Sequence, residues 1–235
     1  MTATAEEIAY VGDELELFAA ATNWKTYWAA KVRPYLGNRI LDVGAGIGAT
    51  VQLLNVDPTK QWLALEPDPR LVARMREQAL PANCEVRVGT LTSLAQSETF
   101  DTVLYIDVLE HIEDDRAEMA RAAKHVRPGG CIVVLAPAHQ MLFTPFDRAI
   151  GHFRRYGGAS MRAVTPPGMR LERLLQLDSV GISASLANKL ILKSVSPQPS
   201  QIAFWDRVMV PFSKLVDPLI GYSLGKTIIG IWRKD

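Results

Sequence analysis

Ile40-Leu41-Asp42-Val43-Gly44-Ala45-Gly46-Ile47-Gly48 decides how the rest of the chain is read. Apolar residues around a single acid predict a short strand over residues 39–43. Glycine at alternate positions then predicts a tight turn, because glycine supplies positive φ and lets another group come close to the backbone. Thr50, Val51, Leu53 and Leu54 continue at helical spacing. Strand, glycine turn and helix in that order open a βαβ unit. The free N–H groups of the helix point at whatever binds in the turn.

Working outward, further strands are expected at residues 61–66, closed by Pro67-Asp68-Pro69, and at 85–89 and 100–106. Residues 131–136 are apolar throughout, as a strand covered on both faces must be. Two later strands are expected at 170–177 and 227–232. Helices are expected at 14–36 (punctuated by Pro34 and Gly37), at 71–80, and at 114–126 with Arg127-Pro128-Gly129-Gly130 as its stop. Residues 183–219 read as a helical, apolar segment. The alternation predicts an α/β fold, a doubly wound parallel sheet. The expected organisation is an N-terminal helical cap over 1–36 and one domain over 37–235, with a helical insertion at about 183–219.

The 235 residues are 48% hydrophobic and 22% charged, enough for a packed core. Lys+Arg 26 against Asp+Glu 25 leaves +1, which argues against a general nucleic-acid binder. Cys84 and Cys131 are too few for a disulfide framework and lie outside metal-ligand spacings, so a reducing cytoplasm and no metal are expected. The acidic N-terminus lacks the order of a signal peptide. Residues 129–146 form the longest uncharged stretch, but Gly129, Gly130, Pro137, Gln140 and Pro145 interrupt it, so no membrane span is expected.

Glu66 ends the second strand, 22 positions beyond Gly44, where an acid accepts hydrogen bonds from ribose hydroxyls. Turn and acid together point to an adenosine-containing cofactor. A dinucleotide site reads GxGxxG because a pyrophosphate rests on the helix N-terminus. Here Gly44-x-Gly46-x-Gly48 is one residue shorter, and Asp42 beside it would repel a pyrophosphate while suiting a cation. S-Adenosyl-L-methionine carries a sulfonium and an ammonium and no phosphate, so charge favours it over NAD.

The motifs together resemble those of class I S-adenosylmethionine-dependent methyltransferases, with residues 40–48 as motif I and Leu63-Ala64-Leu65-Glu66-Pro67-Asp68 as the acidic second motif. Asp107-Val108-Leu109-Glu110-His111-Ile112 resembles the segment after the fourth strand in ubiquinone-type O-methyltransferases. Ala136-Pro137-Ala138-His139, Asp147 and Gly151-His152-Phe153-Arg154-Arg155-Tyr156 are similar to an uncharacterised methyltransferase subgroup. The resemblance implies a seven-stranded Rossmann-like sheet with the last strand antiparallel. It implies that Asp42, Gly44, Ala45 and Gly46 line the methionine part of the cofactor, that Glu66 holds the ribose diol and that Pro67 packs on the adenine. Where the family has Gly-Asp after the third strand, this chain has Gly89-Thr90-Leu91. Thr90, or the backbone of Leu91, is then left to meet the adenine amino group. Asp107 and Val108 should reach the ammonium or sulfonium region.

Methyl transfer from a sulfonium is an in-line displacement in which the protein mainly aligns the partners. A hydroxyl acceptor also needs a base, commonly histidine. His111 and His139, both at the cleft end of strands, are the candidate catalytic residues; His139 is also a candidate substrate contact. His125, beside Lys124, reads as solvated on a polar helix face. His152, Arg154, Arg155 and Tyr156 are candidate substrate residues, either as a clamp bonded to Asp147 or as a gate that grips an anion. Trp24 and Tyr27 on the N-terminal helix are weighed as packing or as substrate contacts.

Residues 180–235 hold seven Lys/Arg and three Asp/Glu. Ile202, Trp205, Val208, Met209, Phe212, Leu215 and Val216 predict one apolar stripe, with a kink at Pro211. The stripe reads as a cap on the domain, a dimer contact, or a surface that meets a membrane and admits a lipid-like substrate. The reading is methyl transfer, with O-methylation of a small or lipid-like molecule ahead of N- or C-methylation, by a cytoplasmic monomer or homodimer. An NAD-binding reductase and a non-catalytic cofactor-binding partner subunit are the rival readings.

Overall fold

The computed structural model describes residues 20–187 and 198–235. The expected helical stretch 14–19 and part of the late helical segment, 188–197, lie outside the described residues. Seven strands form one sheet: β1 (Arg39–Val43), β2 (Gln61–Glu66), β3 (Cys84–Val88), β4 (Phe100–Ile106), β5 (Val126–Pro137), β6 (Met169–Leu177) and β7 (Thr227–Lys234). Their spatial order is β3-β2-β1-β4-β5-β7-β6. The first five run parallel, and β7 is antiparallel to both β5 and β6. This is the doubly wound, Rossmann-like sheet with an antiparallel last strand. The chain reverses its direction of growth between β1 and β4, and a crevice for ligands opens there beyond the strand ends.

The crossovers carry helices on both faces. Strand residues alternate between two cores, as the two-residue period of a strand requires. Ile40, Ala64, Leu104, Cys131, Val133 and Ile229 face α1 (Thr22–Val32) and the C-terminal helices. Leu41, Val43, Leu63, Val103, Ile132, Val134 and Trp232 face α4 (Asp115–Lys124) and α6 (Gly158–Ala163). The remaining helices are α2 (Ala49–Leu54), α3 (Pro69–Glu77), α5 (Pro145–Ala149), α7 (Gly181–Ala187), α8 (Pro199–Phe204) and α9 (Val210–Leu219).

Three local expectations are corrected. Strand β5 begins at Val126, so Arg127-Pro128-Gly129-Gly130 lies inside it and does not end the helix. The pairing with β4 shifts between Phe100 and Thr102, which accommodates Pro128, and a side chain at Gly130 would meet the Asp101 carbonyl at 2.8 Å. His125 is not solvated: it follows the last residue of α4, is buried, and its Nδ1 lies 2.8 Å from the Glu98 carbonyl. The single apolar stripe of the late helices splits in two. Ile202, Trp205 and Met209 are buried together with Asp206, Ser213 and Asp217, while Phe204, Val208, Phe212, Leu215 and Leu219 face outward. A π-helical turn, Trp205–Met209, precedes Pro211 and absorbs the missing N–H.

The two buried aspartates explain how this half of the molecule is tied together. Asp206 accepts hydrogen bonds from the main chain of Asn23 and Trp24 at the start of α1, at 3.2 and 2.8 Å. Asp217 accepts from Tyr27 Oη at 2.7 Å and from the amides of Asp178 and Ser179 at 2.7 and 3.0 Å. A buried carboxylate serving several donors is hard to replace, because its removal leaves amides unsatisfied. Asp217→Ala is expected to cost about 3 kcal/mol of stability and Tyr27→Phe about 2 kcal/mol, read by urea unfolding. A loss under 0.5 kcal/mol in both, below about one ordinary hydrogen bond, would refute the clamp.

Candidate active site

The turn after β1 is bound to the end of β2. The amides of Gly44 and Ala45 both donate to the Leu65 carbonyl, at 2.8 and 3.2 Å. Gly46 N donates to Glu66 Oε2 at 2.8 Å, and Asp68 N donates to Glu66 Oε1 at 2.9 Å. Gly44, Gly46 and Gly48 have φ of +66°, +57° and +84°, where only glycine is unstrained. A side chain on Gly44 would also meet Val108 at 2.8 Å. Val108 therefore packs closely on the turn at Gly44.

Asp42 lies buried one residue before the turn, and its Oδ2 has no hydrogen-bond partner among the described residues. Burial and the neighbouring Glu66 charge push Asp42 up to about 8. Burial also raises Glu66, against the pull of the Asp68 and Gly46 amides. A phosphate-free cation would favour the ionised form of Asp42, and the amides of Gly44, Ala45 and Gly46, already taken by Leu65 and Glu66, offer nothing to a pyrophosphate. The residues present thus suit S-adenosyl-L-methionine. Pro67 is half-buried beside Glu66. The Thr90 hydroxyl pairs with Thr92 Oγ1 at 2.8 Å, and the Leu91 side chain is buried.

Asp107 sits at the tip of β4 with φ +56°, its amide bonded to the Leu135 carbonyl. His111 follows in a 3-10 turn, Leu109–His111; burial, then the His152 ring, lowers it to about 4. It is a neutral imidazole and a weak base. His139, just past β5, has φ +63°, and its buried Nε2 is without a partner among the described residues. Its amide bonds to the Tyr156 carbonyl and Tyr156 N bonds to the Pro137 carbonyl, which stitches the 151–156 loop to β5.

That loop is a network of paired charges. Asp147, buried in α5, receives Arg155 Nε at 2.8 Å and Nη2 at 2.9 Å, and His152 Nδ1 lies 3.1 Å from its Oδ1. Against the upward push of burial, the bonds from His152 and Arg155 hold Asp147 well below the usual carboxylate range. Arg154 pairs with Asp115 at 2.6 Å, and the buried Tyr156 donates to the same carboxylate at 2.8 Å. Both arginines are thus engaged by carboxylates of the chain. Trp24 packs against Trp205 with centroids 5.8 Å apart, and Tyr27 is bound to Asp217, so both face the C-terminal helices.

Glu110 was not singled out in the sequence, although it stands beside His111; it is wholly buried, a fact no sequence pattern carries. A cavity of about 490 Å³ is lined by Gln140, Phe143, Arg148, Gly151, His152 and Phe153. Of these the sequence pointed only to His152 as a site residue. The others are brought together by the fold of the β5–α6 connection.

A family model described as a methyltransferase domain matches residues 40–130. The trans-aconitate 2-methyltransferase of Deinococcus radiodurans is 29% identical over 198 residues, covering 79% of this chain and 74% of that protein. A ubiquinone biosynthesis O-methyltransferase of Rhizobium etli is 34% identical over 113 residues, and the match spans 43% of this chain and 42% of that protein's length. Among solved structures, an S-adenosylmethionine-dependent methyltransferase of Thermotoga maritima superposes with a TM-score of 0.64 at 15% identity, covering 95% of each chain.

Asp42 keeps its proton in the fold to about pH 8, whereas an unfolded aspartate releases it near pH 4. Between those values the native state binds the extra proton, so stability falls as pH rises. Denaturant unfolding at several pH values is expected to show wild type losing a few kcal/mol across this range relative to Asp42→Asn. Parallel pH profiles of the two proteins would remove this account of Asp42.

Proposed function

We propose that the chain is a class I S-adenosylmethionine-dependent methyltransferase that methylates a hydroxyl oxygen of a small or lipid-like molecule. The observation that carries the reading is His139, two residues past the end of β5, whose buried Nε2 is without a partner among the described residues. When bound, the cofactor supplies a methyl group already activated on sulfur. The chain does the rest. Ionised Asp42 attracts the cationic methionine end, Glu66 accepts from the ribose diol, and Pro67 packs on the adenine. Asp107 and Val108 close the crevice from the β4 side. His139 takes the hydroxyl proton as the oxygen attacks; such a base contributes about 10²–10⁴-fold. His111, lowered to about 4, suits an ordering role better than a basic one.

The acceptor is assigned to the cavity beside His152. Phe143 and Phe153 offer apolar walls, and the exposed Arg148, which has no ion pair among the described residues, suits an acidic group on the acceptor. A lipid-like acceptor is favoured by the outward stripe of Phe204, Val208, Phe212, Leu215 and Leu219. On that helical run Arg207 and Lys214 are the accessible charges, while Asp206 and Asp217 are buried and bonded. Cationic and apolar together, such a face adsorbs to anionic bilayers.

Mass spectrometry of cell extract treated with protein and deuterated-methyl cofactor identifies the acceptor by its label. His139→Gln is expected to lower kcat about 10²-fold or more with cofactor affinity unchanged; an unaltered kcat removes the base. Glu66→Ala is expected to weaken cofactor binding at least about tenfold by calorimetry. Wild-type affinity should rise with pH toward about 8 as Asp42 ionises. Sedimentation with anionic vesicles at low salt is expected to carry the protein down, and Phe212→Ser with Leu215→Ser to reduce this. Protein left wholly in the supernatant contradicts the lipid-facing surface.

A further inference from the structure

Glu110 presents a problem that the methyl-transfer reading leaves unsolved. The side chain is fully buried, and neither carboxyl oxygen has a hydrogen-bond partner among the described residues. An uncompensated buried carboxylate is costly. Arg155, the nearby cation, is already engaged by both oxygens of Asp147, and Asp107 and Asp147 add further negative charge around Glu110. The groups that do face it are imidazoles. His152 Nε2 lies 3.9 Å from Glu110 Oε1, and the His111 and His152 rings meet edge to face with centroids 4.5 Å apart.

We infer that Glu110, His111 and His152 bind one divalent transition-metal ion, with zinc the ion their donors suit. One nitrogen from each histidine and one oxygen from Glu110 all lie within 4.8 Å of one another. Even with all three separations at that limit, an ion at their centre is about 2.8 Å from each atom. Zinc bonds to histidine and carboxylate run about 2.0–2.2 Å, so each ligand needs to move inward by about 0.7 Å at most. Two imidazoles and one carboxylate are the ligand set of open zinc sites, which keep a fourth position for water or substrate. Magnesium prefers oxygen ligands, and this set disfavours it.

The surroundings are those of a prepared site. A metal-binding histidine normally gives its second ring nitrogen to a carboxylate or carbonyl, which sets the tautomer and aims the other nitrogen. Here His152 uses Nδ1 on Asp147, leaving Nε2 toward Glu110, and Asp147 is itself held by Arg155 and by the Thr144 amide and hydroxyl. His111 is hydrogen-bonded to the Gly151 main chain. Gly151 stands at φ +86°, a backbone conformation that suits glycine. An ion in this position neutralises Glu110 and cross-links the turn after β4 to the loop after α5. His152 borders the acceptor cavity, so the ion lies at its edge.

The test uses full-length protein stripped with a chelator and desalted. Calorimetry is expected to give one equivalent of Zn²⁺ bound, with Mg²⁺ binding at least about 100-fold more weakly. Glu110→Gln and His152→Ala should each weaken Zn²⁺ at least about tenfold, and Asp147→Asn, a positioning residue, about 10–100-fold. His125→Gln, distant from the cluster, should bind as wild type does. Two readouts do not depend on the variants folding. Co²⁺ added to stripped wild type should give visible absorption that Zn²⁺ displaces, and Zn²⁺ should slow hydrogen exchange in residues 107–113 and 150–156. Absence of stoichiometric Zn²⁺ binding to wild type overturns the site. So does equal affinity in folded Glu110→Gln and His152→Ala. Neither result touches the methyl-transfer reading, which is judged by S-adenosyl-L-methionine binding.

Discussion

The Leu65 carbonyl, which receives the amides of both Gly44 and Ala45, is the contact on which the cofactor end of this molecule depends. It draws the chain leaving β1 across the end of β2, and the path is open only to residues that tolerate positive φ. Glu66, the next residue, then reaches Gly46 N with its side chain. Turn and acid are therefore one construction. The amides of Gly44, Ala45 and Gly46 are consumed within it, and beside it Asp42 Oδ2 is left without a partner among the described residues, a buried acid that a cation would help to ionise. A cationic cofactor without phosphate follows from that electrostatic remainder.

The other wall of the crevice is built on a different plan. From Asp107 to His111 the chain departs from β4 in a turn that puts Val108 against Gly44 and sends Glu110 inward. The 151–156 loop closes over it, with Phe153 N bonded to the Glu110 carbonyl at 2.8 Å and Asp147 organising His152 and Arg155. One wall is built by backbone geometry. The other gathers side chains of distant sequence position.

Buried acids play opposite parts in the two halves of the structure. Asp206 and Asp217 are buried and saturated with donors, and they bind α1 to the C-terminal helices. Asp42 and Glu110 are buried and under-supplied. Burial alone does not separate these cases; the count of available donors does. Saturated acids stabilise the fold, whereas unsaturated ones hold negative potential in reserve for a ligand.

Strand positions, the glycine turn, the acid after β2 and the order of motifs were legible in the sequence, because a strand covered on both faces is largely apolar and a short turn with three residues at positive φ is free of strain only with glycine. Those are local constraints, each met by the residues that bear it. Other features could not be read in this way. Val126 became strand by pairing with Phe100, and residues 127–130 follow as an irregularity before pairing with β4 resumes at Cys131. His125 was drawn inward by a carbonyl 27 positions away. One apolar stripe divided into a buried and an exposed face once Asp206 and Asp217 found their donors on other elements. The meeting of Glu110, His111 and His152 likewise joins two loops separated by a strand and two helices. Sequence by itself determined the sheet and its cofactor turn; only tertiary structure decided which polar groups were left without partners, because hydrogen-bond satisfaction is a property of what comes together in space.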